Sequence, residues 1–272
     1  MKYTLLKKAL AVTLISGICT PQAFSGVPNF FKRLEIGFSY NYSPSVYKSV
    51  ENITAGNGAT FTKDLSYDVK PKMALGGMIG TYFPIKRFSE NVLLAVHTDI
   101  AINVNMWDFK LSTFRYFKTD GDGNPIEPIY NAEYSEASMK GNSMLAGLPI
   151  SVDLKFGGEA NLQNYAKTTG SIGVGVYPML NITKDFGTGD QGFFAAPFVK
   201  AEIGKKMGIF WKLRAQYVFG EIPFFKEHLY MQPGTSNISN GKLIGNGMAS
   251  VSLVLMPFSW DFRNDGWWNS GK

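Results

Sequence analysis

The chain holds one cysteine, Cys19, and two histidines, His97 and His228. Cys19 lies in an N-terminal stretch that reads as a cleaved leader, so the exported chain is expected to carry no disulfide and no thiol nucleophile. Past that leader no uninterrupted apolar stretch reaches the length of a membrane-spanning helix. Charge of one sign is scarce as well. There are 27 Lys+Arg against 21 Asp+Glu, and three of the lysines (Lys2, Lys7, Lys8) belong to the leader, which leaves 24 against 21, a net of +3. That balance provides no basic footprint for nucleic acid. Cystine-stapled folds, helical membrane spans and nucleic-acid binding are thereby set aside. An exported chain without disulfides needs another source of stability, and a closed β-sheet supplies one through its complete backbone hydrogen bonding.

What is present begins with the leader. Its basic start is followed by the apolar run Ala9 to Cys19, about eleven residues, which suits a signal segment and is too short to cross a bilayer as a helix. Pro21 ends the run, and Ala23-Phe24-Ser25 offers small residues at the positions a signal cleavage site requires. Residues 1–25 are therefore expected to be removed, and residues 26–272 to form one domain.

Residues 33–42 carry the strongest fold signal. Leu34, Ile36, Phe38, Tyr40 and Tyr42 alternate with Arg33, Glu35, Gly37, Ser39 and Asn41. Side chains along a strand point to opposite faces with period two, so one face is aromatic and apolar and the other polar and charged. Similar patterns recur near 72–84, 91–107, 144–156, 171–183, 193–204, 209–220 and 244–258, giving eight candidate strands. The connections alternate in length. Segments 44–71, 107–143, 183–193 and 220–243 are polar and mostly long, whereas 85–90, 157–170 and 205–208 are shorter. Apolar-out, polar-in strands with long loops at one end and short turns at the other predict an all-β transmembrane antiparallel up-and-down barrel of eight strands. Ten is the alternative, if 108–118 and 128–138 add a pair. Aromatic residues fall at strand ends (Tyr40, Tyr42, Tyr217 and Phe219 at one end, Phe83, Phe156, Phe258 and Trp260 at the other), as interfacial girdles require. Pro149, Pro178 and Pro197 fall inside strands, where each removes a ladder donor, so a bulge or strand end is expected at each.

The inward face carries the candidate site. Arg33, Lys155, Lys200, Lys212 and Arg214 are expected to meet Glu35, Asp99, Asp153 and Glu202, with His97 beside them. An eight-stranded bore is just wide enough for side chains to fill it, so these charges are read as a salt-bridged plug, with a narrow water path as the alternative. His97 and Asp99 could serve a lipid A-modifying enzyme, but Thr98 points to the other face and no His-x-Ser occurs, so a structural histidine on an interior carboxylate is the expectation. Asp120-Gly121-Asp122-Gly123-Asn124 is not a calcium loop, because Pro125 stands at the sixth position, where glycine belongs, and Asn131 at the twelfth, where glutamate belongs. No catalytic residue, metal or cofactor is assigned. The loop aromatics Phe114, Tyr116, Phe117, Tyr130, Phe224, Phe225 and Tyr230 are candidate contact residues.

Leu148-Pro149-Ile150-Ser151-Val152-Asp153-Leu154-Lys155-Phe156 resembles a Leu-Pro-led strand of the porin-family, OmpA-like small outer-membrane barrels. Ala196-Pro197-Phe198-Val199-Lys200-Ala201-Glu202-Ile203-Gly204 and the strand Trp211 to Phe219 resemble two others. In this chain Lys200 and Glu202 replace small residues of the family pattern, and the chain runs on past Phe258 and Trp260 to Lys272 as a short tail. The resemblance implies a fold and a compartment, the Gram-negative outer membrane, and no activity. The expected partners are outer-membrane lipid and lipopolysaccharide, with a host or envelope protein met through the loops. The expected role is envelope structure or surface contact, and a narrow solute channel is the alternative.

Overall fold

The computed structural model describes residues 31–54, 60–116, 133–160, 166–184, 190–225, 230–231 and 236–259. The expected leader and the tail from Trp260 lie outside them. Among the described residues twelve strands run in chain order: β1 (Glu35–Tyr42), β2 (Ser45–Thr54), β3 (Thr60–Val69), β4 (Met73–Ser89), β5 (Val92–Tyr116), β6 (Glu133–Gly147), β7 (Ile150–Gly157), β8 (Thr168–Lys184), β9 (Asp190–Met207), β10 (Ile209–Phe225), β11 (Tyr230–Met231) and β12 (Ser236–Met256). All pairings are antiparallel. The order runs β1-β4-β5-β6-β8-β9-β10-β12, and β12 pairs back onto β1, which closes the ring. β7 lies between β5 and β8 below β6, so the two share one place and the ring has the eight positions of the sequence reading.

Proline makes that break, and the ladder runs through it. Leu148-Pro149 separates β6 from β7, yet Asp99 N donates to Pro149 O at 3.1 Å and Leu148 N donates to Pro178 O at 3.0 Å. A residue's N and O leave a strand on the same side, so the donor that Pro178 lacks faces the irregularity that Pro149 already creates. Pro44 separates β1 from β2 in the same way, its carbonyl accepting from Asn246 N at 2.7 Å. Pro197 sits one residue beyond Phe198–Val218, the last β9–β10 pair, after which β10 bulges at Gly220 (φ 91°).

The outer surface of the ring is apolar. Phe38, Ile79, Ile100, Ile172, Val174, Leu213, Val251 and Leu253 are all exposed, Ile203 at 69% and Phe193 at 72%. On β9 that outward row runs from Phe193 to Ile203, eleven residues, about the length a tilted strand needs to cross the hydrocarbon core. An exposed apolar band of this extent has no place in water and suits lipid. Exposed Tyr40, Tyr42, Tyr217 and Phe219 rim one edge, and Phe83, Phe88, Phe156, Trp211 and Phe258 rim the other.

The interior has two tiers. Charged side chains fill the end near the short turns. An apolar cluster that includes Tyr47, Trp107, Met179, Ile222, Phe224 and Leu243 fills the other. The second tier corrects the sequence reading. The segment 44–71 holds the β2–β3 hairpin, paired to the upper half of β12, where a polar loop was expected. Segments 108–116 and 133–138 lengthen β5 and β6 above the ring and add no ring position. Phe224 and Phe225 belong to the extended β10 and are buried at 0% and 2%, so they are core residues and not contact candidates. Phe114 and Tyr116 fall on β5 and Tyr230 on β11, but their side chains lie outside the described set, as do Phe117 and Tyr130 entirely.

Candidate functional site in the barrel bore

Strand alternation brings Glu35, His97, Asp99, Asp153, Lys155, Lys200, Glu202, Lys212 and Arg214 to the inside, each at most 6% exposed. Register then pairs them: Arg214 lies directly opposite Glu202 on β9, and His97 directly opposite Ser151 on β7. Glycine makes the room. A Cβ at Gly80 would overlap the Asp99 carboxylate, and one at Gly173 the Asp153 carboxylate.

Arg214 is the hub. Its Nε donates to Glu202 Oε1 at 2.5 Å, Nη1 to Asp99 Oδ2 at 2.7 Å and Nη2 to Glu35 Oε2 at 2.5 Å. Lys212 Nζ binds Glu35 Oε1 at 2.6 Å, Glu159 Oε1 at 2.9 Å and Glu202 Oε2 at 3.1 Å. Lys155 Nζ reaches Glu159 Oε1 at 3.1 Å and lies 4.2 Å from the centre of the Tyr82 ring. Lys200 Nζ sits 2.9 Å from Asp153 Oδ2. His97 bridges two acids, with Nδ1 3.1 Å from Asp153 Oδ2 and Nε2 3.0 Å from Asp99 Oδ1. Arg214 Nη2 also lies 3.3 Å from His97 Nε2. Five carboxylates thus meet four Lys and Arg cations, with the imidazole set between two of the acids, and this dense pairing is how so much buried charge is tolerated. Hydroxyls complete the shell: Ser171 Oγ donates to Glu202 at 2.8 Å, Thr169 Oγ1 to Glu159 at 2.9 Å and Ser151 Oγ to Asp153 at 2.6 Å.

Arg33 lies apart from this network. Its guanidinium is 5.6 Å from the Tyr82 ring, at the mouth below it. Glu159 joins the network as a fifth carboxylate. It sits on the β7–β8 connection, outside the strands, and turns into the bore with its backbone carbonyl held by Tyr82 OH at 3.0 Å. Burial works to raise the Glu159 carboxyl, and the ammonium groups of Lys155 and Lys212 overcome it and hold it down at about 2. The sequence signal for it is weak: an acid immediately after Gly157-Gly158 in a connection longer than a tight turn.

Chemically the cluster is occupied with itself. Ser151, His97 and Asp153 lie together, but Ser151 donates to Asp153 and not to His97, so the histidine cannot take the hydroxyl proton. Glu35, His97 and Glu202 bring three ligand-type atoms close to one another, and Arg214 already donates to both of those carboxylates. Above the network lies a small polar chamber of about 20 Å³ lined by Ser39, Asn41, Asn103, Tyr177, Gln216 and Ser252 among others, room for about one water. There Asn41 Nδ2 donates to Asn103 Oδ1 at 2.9 Å and Asn103 Nδ2 to Tyr177 OH at 3.1 Å.

No family model matches the chain, and no curated protein does. Among solved structures it is similar to the outer membrane protease OmpT of Escherichia coli (6% identity, TM-score 0.38, covering 81% of this chain and 96% of that one). It is also similar to Ail, the attachment invasion locus protein of Yersinia pestis (8%, TM-score 0.30, 82% and 98%), solved with the heparin analogue sucrose octasulfate. A third is the outer membrane protein AlkL (14%, TM-score 0.28, 82% and 87%). All are outer-membrane β-barrel proteins, and at these scores none bears on the activity of this chain.

Proposed function

We propose that this chain is a non-enzymatic integral barrel of the Gram-negative outer membrane, with a sealed bore and its specific role carried by the part above the membrane. The single observation that carries the reading is the filling of the bore: a densely ion-paired network at one end and an aromatic core at the other, with a polar chamber of about 20 Å³ between them. The exposed apolar band supports the membrane assignment. The strand motifs at Leu148–Phe156 and Ala196–Gly204 support a place among the porin-family, OmpA-like barrels. In this reading the barrel is a scaffold, and contact with a host or envelope protein falls to the segments that join the long strands, such as 118–131. The test is planar-bilayer conductance of protein whose folding is first verified by a heat-dependent gel shift. Folded protein without stable single-channel steps is expected, and reproducible steps would replace the scaffold reading with a channel. Deletion of 118–131 should leave the gel shift intact; loss of folding would break the division between scaffold and loop.

A further inference from the structure

The sheet ends on β3. Along the hydrogen-bonded path β12 pairs β2 and β2 pairs β3, and among the described residues no further strand follows β3. Backbone N–H and C=O groups alternate from side to side along a strand, so half of those of β3 point away from β2. The next stretch of wall on that side is β5 above Met106, which pairs with β6 and forms no ladder with β3. The seam between them is closed at its base, where Lys72 N donates to Met106 O at 2.8 Å and Lys72 Nζ lies 3.5 Å from Asp108. On the inner side the rings of Tyr47 and Phe109 meet with centroids 5.3 Å apart. The core is therefore covered, and what the seam offers is backbone. Other strand sides above the membrane are guarded: β9 carries Pro197 beyond its last pair with β10, and β10 carries Pro223 and two register shifts. β3 has neither proline nor glycine over its ten residues, and it pairs with β2 from Thr60–Thr54 to Val69–Ser45 without a shift. Its outward row is Thr62, Asp64, Ser66 and Asp68, all exposed, whereas Leu65 and Val69 on the inward face are buried.

We infer that β3 is a docking edge for an extended polypeptide of another protein, which adds a strand to the sheet above the membrane and brings lysine or arginine beside the acidic row. The ladder provides the affinity and the side-chain row the selection. Asp64 and Asp68 lie on one face four residues apart, about 13 Å along the strand, so basic residues at the same spacing on the added strand meet both. The same carboxylates select against a second copy. Two upright copies in one membrane present β3 running the same way, so a two-fold pairing sets each aspartate beside its own counterpart. The inference extends the preceding reading, in which partner contact is made above the membrane, and rests on it.

The test uses the full exported chain folded into phosphatidylcholine vesicles, with folding verified by the gel shift. The probe is a fluorescent peptide of alternating lysine and valine. Its controls are the same peptide N-methylated at alternate amides, and one with glutamate in place of lysine. Anisotropy reads binding, and residue-resolved hydrogen exchange locates it. The lysine peptide should bind and slow exchange within 60–69. N-methylation should weaken binding at least about tenfold, because two or more ladder bonds are lost. Asp64→Lys/Asp68→Lys should switch the preference to the glutamate peptide. Equal binding of the N-methylated peptide, or protection confined to other strands, would overturn the edge. So would protection of every amide in 60–69 without peptide, where the chain covers its own edge, or protection that grows with the protein-to-lipid ratio, where a second copy does. Inserted protein that ignores the peptide refutes the docking edge alone, whereas failure to insert refutes the membrane assignment beneath it.

Discussion

Arg214→Met removes the hub of the bore while keeping its length and most of its volume. Three charge-assisted hydrogen bonds are lost, to Glu202 at 2.5 Å, Asp99 at 2.7 Å and Glu35 at 2.5 Å. At about 1.5–3 kcal/mol each these would sum to roughly 4–9 kcal/mol if they were independent. They are not independent. Lys212 still holds Glu35 and Glu202, and His97 still holds Asp99. The expected loss is therefore that of a buried pair stripped of one member, about 3–5 kcal/mol, which lowers the folding equilibrium constant at least a hundredfold. The assay is urea unfolding and refolding in vesicles, read by tryptophan fluorescence and by the heat-dependent gel shift. The cause of the loss is separable from the loss itself. If stranded negative charge is responsible, Arg214→Met/Glu202→Gln should be more stable than Arg214→Met alone by about 1 kcal/mol or more, even though it removes a second native group. A single variant within about 1 kcal/mol of wild type, or a double variant less stable than the single, would refute the reasoning.

Three other outcomes follow from the same structure. The Glu159 carboxyl is held below its usual 4.5 at about 2 in the folded chain, so its contribution is complete above pH 4.5 and disappears as pH falls toward 2; unfolding midpoints should drop across that window, and less steeply in Glu159→Gln. Gly80→Ala drives a methyl into the Asp99 carboxylate and should cost about 1–3 kcal/mol in urea titrations, whereas Gly77→Ala on the same strand, whose nearest neighbour is Gly37 O at 3.9 Å, should lie within about 0.5 kcal/mol of wild type. Leu213 faces outward between the girdle residues Trp211 and Tyr217, so Leu213→Lys should destabilise the barrel in vesicles by about 2–4 kcal/mol, and a neutral result would argue that this face does not meet hydrocarbon.

The membrane-level half of the barrel is legible in the sequence because its two environments differ so sharply. Lys200 and Glu202 on one face of β9, with Val199, Ala201 and Ile203 on the other, leave one orientation available once lipid is outside. The upper half follows no such clean rule. Above the membrane the outside is water, and β2 mixes polarity on both faces, with Ser45, Tyr47 and Ser49 inward and Val46, Lys48 and Val50 outward. Lys48 interrupts any apolar outward stripe, so a reading tuned to lipid-facing strands takes the segment for a loop. Phe224 and Phe225 mislead for a related reason. Consecutive residues of a regular strand cannot share a face, but the register shift between Pro223 and Phe225 turns both rings into the core. Within the site, residues on regular strands could be assigned to the bore from period alone. Glu159 could not, because a connection has no period and its inward turn is set by tertiary partners. Arg33 was assigned inward by period, but it precedes β1 and meets Tyr82 at the mouth instead of an acid.

The central claim is that the apolar stripes meet hydrocarbon while the polar stripes are enclosed. Strand β12 tests it with little perturbation, since Val251 and Leu253 face outward, Ser252 is buried and Ser250 borders the polar chamber. Nitroxides attached singly at Val251→Cys, Leu253→Cys, Ser250→Cys and Ser252→Cys, in a chain whose one native cysteine, Cys19, is replaced by serine, report oxygen and nickel-chelate accessibility in vesicles. The account requires high oxygen and low nickel accessibility at 251 and 253, with oxygen accessibility falling at 250 and 252. High nickel accessibility at 251 and 253, or oxygen maxima at 250 and 252, would contradict it.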